Sequence, residues 1–193
     1  MNLENKNMKK INLKTRRMTN PYTDRHCEGF QTNWLFGLDE LCEKFIDKHS
    51  TILEIGCHHG ISTSLFCYYA KEVDGVDIEI SKQLSNLQNR VDNLTLYKQA
   101  SIAYLKKAIA QNKKYDLIYL DGDHSYDALK NELPLAQQLL KSGGILSGHD
   151  MVEGNKRPKN GVLKAVYEAY PEIKKGDMRL YRFSDSSWAI SNL

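Results

Sequence analysis

Apolar positions along this chain recur in two rhythms, one helical and one extended, and the two alternate. Between Asn33 and about His49, the residues Trp34, Leu35, Leu38, Leu41, Phe45 and Ile46 recur at helical spacing, which predicts an amphipathic helix. Residues 51–55 form a short apolar run that predicts a strand, followed by a glycine-containing turn and a helix over about 62–70. Residues 73–76 read as a second strand, and Ile80, Leu84, Leu87 and Val91 mark the helix behind it. A third strand over 94–97 leads to a helix carrying Ile102, Leu105 and Ile109. Residues 115–120 are the most apolar strand. The helix after it, about 125–140, shows Leu129, Leu133, Ala136 and Leu140 on one side. Pro134 lies inside that helix and is expected to kink or split it, because it lacks a backbone donor and crowds the preceding turn. Gly143 and Gly144 are expected to stop it, with a fifth strand over 144–147. Past a polar loop, residues 162–170 read as helical. Two β-prone runs, 178–183 and 188–190, are placed to pair as a closing hairpin.

Strands alternating with helices imply β-α-β units, hence a mostly parallel sheet covered on both faces. The expected fold is α/β and Rossmann-like, with seven strands and helices on both faces. In such sheets ligands bind beyond the carboxyl ends of the strands. Every motif considered below falls at such an end. Residues 33–193 are read as a single domain opened by the helix over 33–49, and residues 1–32 as a polar, basic, partly disordered leader.

Composition narrows the function classes. The chain has 193 residues, 41% hydrophobic and 26% charged, enough for one full core. No apolar run approaches the roughly 20 residues that span a bilayer. The polar, basic start is unlike a secretory signal, so a cytoplasmic protein is expected. The net charge is only +3, but Lys6, Lys9, Lys10, Lys14, Arg16 and Arg17 crowd the leader. No aromatic residues interleave with them, which disfavours nucleic acid as a partner and favours a solvated segment. Cys27, Cys42, Cys57 and Cys67 form no C-x-x-C pair and are read as free thiols.

The first strand runs into Glu54-Ile55-Gly56-Cys57-His58-His59-Gly60, and Ser62 opens the next helix. Glycines at such a turn let the backbone approach a ligand closely. Asp77, about twenty positions on, ends the second strand, where a carboxylate can accept the hydroxyls of a ribose. The turn is not G-x-G-x-x-G, which argues against a dinucleotide and its pyrophosphate. An acid beside the turn suits a cationic ligand better. The pattern E-x-G-x-x-x-G resembles the first motif of class I methyltransferases, which bind S-adenosylmethionine (SAM), and Asp77 resembles their ribose-binding acid. The resemblance implies a cofactor site built from Glu54, Gly56, Cys57, Gly60, Ser62, Asp77, Ser101 and Asp121. Such proteins often carry an acid after the third strand, near the adenine. Here that stretch is Tyr97-Lys98-Gln99-Ala100-Ser101, with no acid, and Ser101 is expected to stand in.

The fourth strand ends in Asp121-Gly122-Asp123-His124-Ser125-Tyr126 and the fifth in Gly148-His149-Asp150. Adjacent parallel strands bring these segments together, and their oxygen and imidazole donors suit an octahedral divalent ion such as Mg²⁺ or Mn²⁺. The two segments resemble the Methyltransferase-24-like family, and are similar to the metal-dependent sugar O-methyltransferases of macrolide and aminocoumarin biosynthesis. They are more distantly similar to catechol O-methyltransferases. Carried over, the resemblance implies Asp121, His149 and Asp150 as metal ligands and His124 as general base. His149 departs from the pattern, which usually has an acid there.

The expected function is SAM-dependent O-methylation of a small hydroxylated acceptor such as a sugar, assisted by a divalent metal. Three rivals stay open: a metal-independent N- or nucleic-acid methyltransferase, a SAM-binding module without chemistry, and, least favoured by the glycine pattern, a nicotinamide dehydrogenase. Assembly with a second copy is also left open.

Overall fold

The computed structural model describes residues 35–153 and 161–191. Helix α1 (Phe36–Phe45) precedes an alternating series: β1 (Thr51–Ile55), α2 (Ile61–Tyr69), β2 (Glu72–Asp77), α3 (Lys82–Gln88), β3 (Leu94–Lys98), α4 (Ser101–Ala110), β4 (Tyr115–Leu120), α5 (Tyr126–Gln138) and β5 (Leu140–Gly148). Helices α6 (Val162–Ala169) and α7 (Glu172–Lys175) and strands β6 (Arg179–Arg182) and β7 (Trp188–Ser191) complete it. The seven strands form one sheet in the order β3-β2-β1-β4-β5-β7-β6. Strands β1 to β5 run parallel, whereas β7 lies antiparallel to both β5 and β6. The order reverses between β1 and β4, which opens a crevice at their carboxyl ends.

Side chains alternate across each strand, so each central strand feeds two cores. Ile52, Leu117 and Tyr119 pack with Leu38, Leu41, Leu65, Phe66, Leu84 and Leu87, on the face covered by α1, α2 and α3. Leu53, Ile55, Ile118 and Leu120 pack with Leu105, Leu129, Leu133, Val162 and Val166, on the face covered by α4, α5 and α6. A strand buried on both sides is apolar at most positions. That is why 51–55 and 115–120 stood out in the sequence.

The structure departs from the sequence expectations in instructive places. The opening helix is shorter than 33–49, spanning Phe36–Phe45; Asn33 and Trp34 lie outside the described residues, as do the leader 1–32 and the loop positions 154–160. Helix α5 is not split by Pro134. Pro134 and Lys130 are both exposed, so water can bond the Lys130 carbonyl that the proline leaves without a donor. Leu140 belongs to β5 and not to the helix, which ends at Gln138. Gly143, with φ +75°, therefore interrupts a strand and does not stop a helix. The expected closing hairpin forms, with Leu180 opposite Ile190 and Arg182 opposite Trp188. Among the described residues no helix is long and apolar enough to cross a membrane.

Candidate active site

A cavity of about 870 Å³ opens at the carboxyl ends of β1, β2, β3, β4 and β5. One side of it is shaped by backbone. After β1, Gly56 takes φ +90°, and a side chain there would meet the Asp121 carbonyl oxygen at 2.3 Å. The glycine thus lets the turn lie flat against the end of β4, where the Asp121 amide donates to the Ile55 carbonyl at 2.8 Å. Asp77 anchors the turn from the other side. One carboxylate oxygen accepts the His58 amide at 2.8 Å and the other accepts the Glu79 amide at 3.1 Å. His58 is held at φ +47°, a left-handed conformation uncommon for side-chain-bearing residues and frequent at functional sites.

Of the residues expected at the cofactor, Gly56, Cys57, Ser62, Asp77, Ser101 and Asp121 line this cavity, and Glu54 and Gly60 do not. Glu54 is fully buried and accepts a hydrogen bond from the Ser62 hydroxyl. Burial lifts its carboxyl to about 7, against the opposing pull of Ser62. Its visible role is to fix Ser62, which does face the cavity. Gly60 caps α2 in the left-handed conformation. The Cys57 thiol is 2% exposed between β1 and β2, so the residue meets the cavity without presenting a free nucleophile. Burial also pushes that thiol well above its ordinary value. The described cysteines, Cys42, Cys57 and Cys67, are all unpaired as expected.

The other side of the cavity is shaped by charged side chains. His149 Nδ1 lies 3.4 Å from Asp121 Oδ1 and 3.4 Å from Asp150 Oδ1. His124 Nε2 lies 3.7 Å from Asp121 Oδ1 and 3.5 Å from Asp150 Oδ2. The sequence expectation that β4 and β5 bring these four residues together is met. Asp121, His124 and His149 line the cavity, while Asp150 sits behind them, 3% exposed and at φ +58°. His149 Nε2 bonds the backbone carbonyl of Asp185 at 2.7 Å. Burial disfavours the charged ring, but Asp121, Asp150 and that carbonyl outweigh it and lift the imidazole to about 9.

This state of His149 bears on the divalent ion implied by the resemblance. With Nε2 committed to the Asp185 carbonyl, the ring turns Nδ1 toward Asp121 and Asp150. Among the described residues no three His, Cys, Asp or Glu side chains are arranged to hold a metal ion. Asp121, His149 and Asp150 as placed here therefore do not fit that ion. The raised pKa of His149 favours a positive ring between the two carboxylates.

Asp185, in the turn between β6 and β7, escaped the sequence reading. Its carboxylate accepts the Leu38 amide at 2.7 Å and the Ser187 amide at 2.9 Å. It thereby caps α1 from a distance, since Leu35 at the N-cap position makes no side-chain cap. The approach is so close that a side chain at Gly37 would meet Asp185 Oδ1 at 2.1 Å. One turn thus holds both α1, whose Leu35 and Leu38 wall the cavity, and the ring of His149.

The family model Methyltransf_24, described as a methyltransferase domain, matches residues 53–151, just over half of the chain. The chain belongs to that family. An uncharacterized protein of Acanthamoeba polyphaga mimivirus is 23% identical over 159 residues, covering 76% of this chain and 71% of its own. A SAM-dependent methyltransferase from Aquifex aeolicus shares the fold with a TM-score of 0.54 and 13% identity, over 81% of this chain and 89% of that one. So does MycE, a methyltransferase of the mycinamycin biosynthetic pathway solved with Mg, S-adenosylhomocysteine (SAH) and mycinamycin VI. Its TM-score is 0.59 and its identity 12%, over 79% of this chain and 47% of MycE.

Proposed function

We propose that the chain is a SAM-dependent O-methyltransferase acting on a small hydroxylated acceptor such as a sugar, with His124 as general base. One observation carries the reading: the anchored carboxylate of Asp77 and the imidazole of His124 line the same cavity, from the ends of β2 and β4 on either side of β1. Asp77 offers its remaining lone pairs to a ribose, Gly56 admits the ligand close to the backbone, and the cavity has the size of a cofactor pocket. Bound SAM would supply a methyl group activated by its sulfonium.

A neutral alcohol is a poor nucleophile, so the acceptor must lose its proton as the new bond forms. His124 is placed to take it. Its side chain is 30% exposed at the cavity wall, and Asp121 and Asp150 face its Nε2. The acceptor oxygen gains the methyl, its proton passes to His124, and SAH leaves. No step is assigned to a metal ion, because the donor set does not fit one. The sugar acceptor rests on the family resemblance, and MycE was solved with mycinamycin VI in place.

Calorimetric titration with SAM and SAH, with NAD as control, tests the cofactor. Micromolar binding of the SAM pair alone is expected, and NAD binding in its stead would overturn the reading. Turnover of labelled SAM with a panel of sugars and catechols, with and without EDTA, tests the rest. Transfer to oxygen that survives EDTA is expected. Transfer to nitrogen or RNA would replace the acceptor class, and a loss restored by Mg²⁺ would return the ion to the mechanism.

A further inference from the structure

At the β2–β3 side of the cavity the lining passes from Asp77 and Ile78 to Gln99, Ala100, Ser101 and the α5 residues Ala128, Asn131 and Glu132. Glu132 is out of place by the usual logic of helices. It lies on the stripe that buries Leu129, Leu133 and Ala136, where an acid interrupts an otherwise apolar face. It is only 2% exposed, and its Oε2 has no hydrogen-bond partner although it borders the cavity. Burial raises its carboxyl, with the Ser101 hydroxyl bond pulling the other way and Asp123 adding to the rise. Buried polar atoms are almost always satisfied, and an orphan on a residue that lines a cavity marks where a ligand's partner belongs.

The neighbouring helix makes the same point. Helix α4 begins at Ser101 without a side-chain cap at Ala100 and without an acid in its first turn. The stretch 97–101 also lacks the acid expected near an adenine. Glu132 brings a carboxyl to that place from a different element. The other buried orphans explain less: Glu54 and Thr63 do not line the cavity, and the His59 ring lies tilted against that of His58 with centroids 3.8 Å apart.

We infer that Glu132 is the specificity-determining residue for the purine of the cofactor, its free Oε2 accepting a hydrogen from the exocyclic 6-amino group. This rests on the SAM reading above and adds the residue that selects adenine. A purine with a 6-oxo group turns lone pairs toward the same oxygen and is rejected. Exposed Ile78, 75% accessible and beside Asp77, offers an apolar contact at the same end of the cavity.

The test is calorimetric titration of the full chain with SAH and with S-inosylhomocysteine, its 6-oxo counterpart, for the native protein and for Glu132→Gln and Glu132→Ala. The native protein is expected to prefer SAH by about 30-fold or more, in keeping with base discrimination by side-chain hydrogen bonds. In Glu132→Gln the amide can donate to the 6-oxo group, so the preference is expected to fall about tenfold with SAH affinity nearly kept. In Glu132→Ala both SAH affinity and preference should fall. The ratio of two affinities within one variant does not depend on the fraction folded, and the near-isosteric Gln variant carries the test if the Ala variant does not fold. A preference within twofold of native in Glu132→Gln overturns the assignment of Glu132 alone. Failure of the native protein to bind SAH overturns the SAM reading, and this inference with it.

Discussion

Two clusters of ionisable side chains sit at opposite ends of the same sheet, and they are built to opposite standards. Near the amino-terminal ends of the strands, one oxygen of Asp74 accepts hydrogen bonds from Tyr115 at 2.6 Å, Lys113 at 2.7 Å and Tyr104 at 2.9 Å. Lys113 also reaches the Tyr97 hydroxyl at 3.0 Å. At the carboxyl ends, the contacts among Asp121, His124, His149 and Asp150 run from 3.4 to 3.7 Å, beyond good hydrogen-bond length. The first cluster is closed: its short bonds converge on one oxygen. The second holds Asp121, His124 and His149 on a cavity wall at longer contacts. Closed networks lend rigidity, whereas open ones keep bonding capacity for a ligand or a moving proton. The same residue types thus serve stability at one end and chemistry at the other.

The largest effect that separates the clusters is expected at His124. Replacing it with Ala should lower kcat by on the order of 10³, within the range for loss of a general base, while SAH affinity stays within about threefold. Single-turnover kinetics with SAH titration in parallel would check it. A variant that keeps its kcat would end the base assignment.

At the closed end the expected effect is on stability. Replacing Asp74 with Ala strands Lys113 and two tyrosine hydroxyls and should cost about 2–4 kcal/mol of unfolding free energy. SAH affinity should not change. Urea denaturation read beside calorimetry would show this, and a variant that unfolds normally but loses SAH would mean that the two ends are coupled.

The open cluster should leave its own mark on stability, through pH. The His149 imidazole stands at about 9 in the folded protein, above its ordinary 6.5. A raised pKa means that its contribution is complete below about 6.5 and is lost as pH rises through 9. The loss should be on the order of 1–3 kcal/mol, tempered because the side chain is 28% exposed. Glu54, raised from 4.5 to about 7, loses its contribution in the adjoining window between those values. Denaturation across pH 4 to 10 should therefore show two successive declines. Replacing His149 with Asn should flatten the upper decline and leave the lower. A profile unchanged by that substitution would deny His149 its charge.

These contrasts also explain what could be read in the chain beforehand. The bounds of β1 and β4 were legible to the residue because strands buried on both faces are apolar at most positions. Gly56 and Asp77 were legible because neighbouring elements in sequence place them. The four groups of the open cluster were found because they fall in the short segments that follow β4 and β5. Glu54 was misplaced by a simple geometric rule: it points to the face opposite Leu53 and Ile55, into the core shared with α2. Leu140 satisfied the helical spacing and the strand equally well, and backbone pairing with Tyr115 decided it. Glu132 carried a signal that went unused, an acid on a buried helical stripe. Asp185 carried none, because its meaning lies in contacts 147 residues away.

Asp185 stands on the boundary between the two kinds of cluster, and it gives the smallest effect. Its carboxylate is fully engaged, as in a closed network, yet its carbonyl orients His149 in the open one. Replacing it with Ala removes a helix cap and should cost about 1–2 kcal/mol of stability. Asn, which keeps one acceptor, should recover part of that. The backbone carbonyl survives both substitutions. If the turn holds its shape by other bonds, such as the buried contact of Ser187 with Tyr119 at 2.9 Å, kcat should then fall less than about threefold. A kcat loss of tenfold or more in the Ala variant, restored by Asn, would show that the cap on α1 and the ring of His149 are held as one unit. The closed bonds would then be what keeps the open cluster in place.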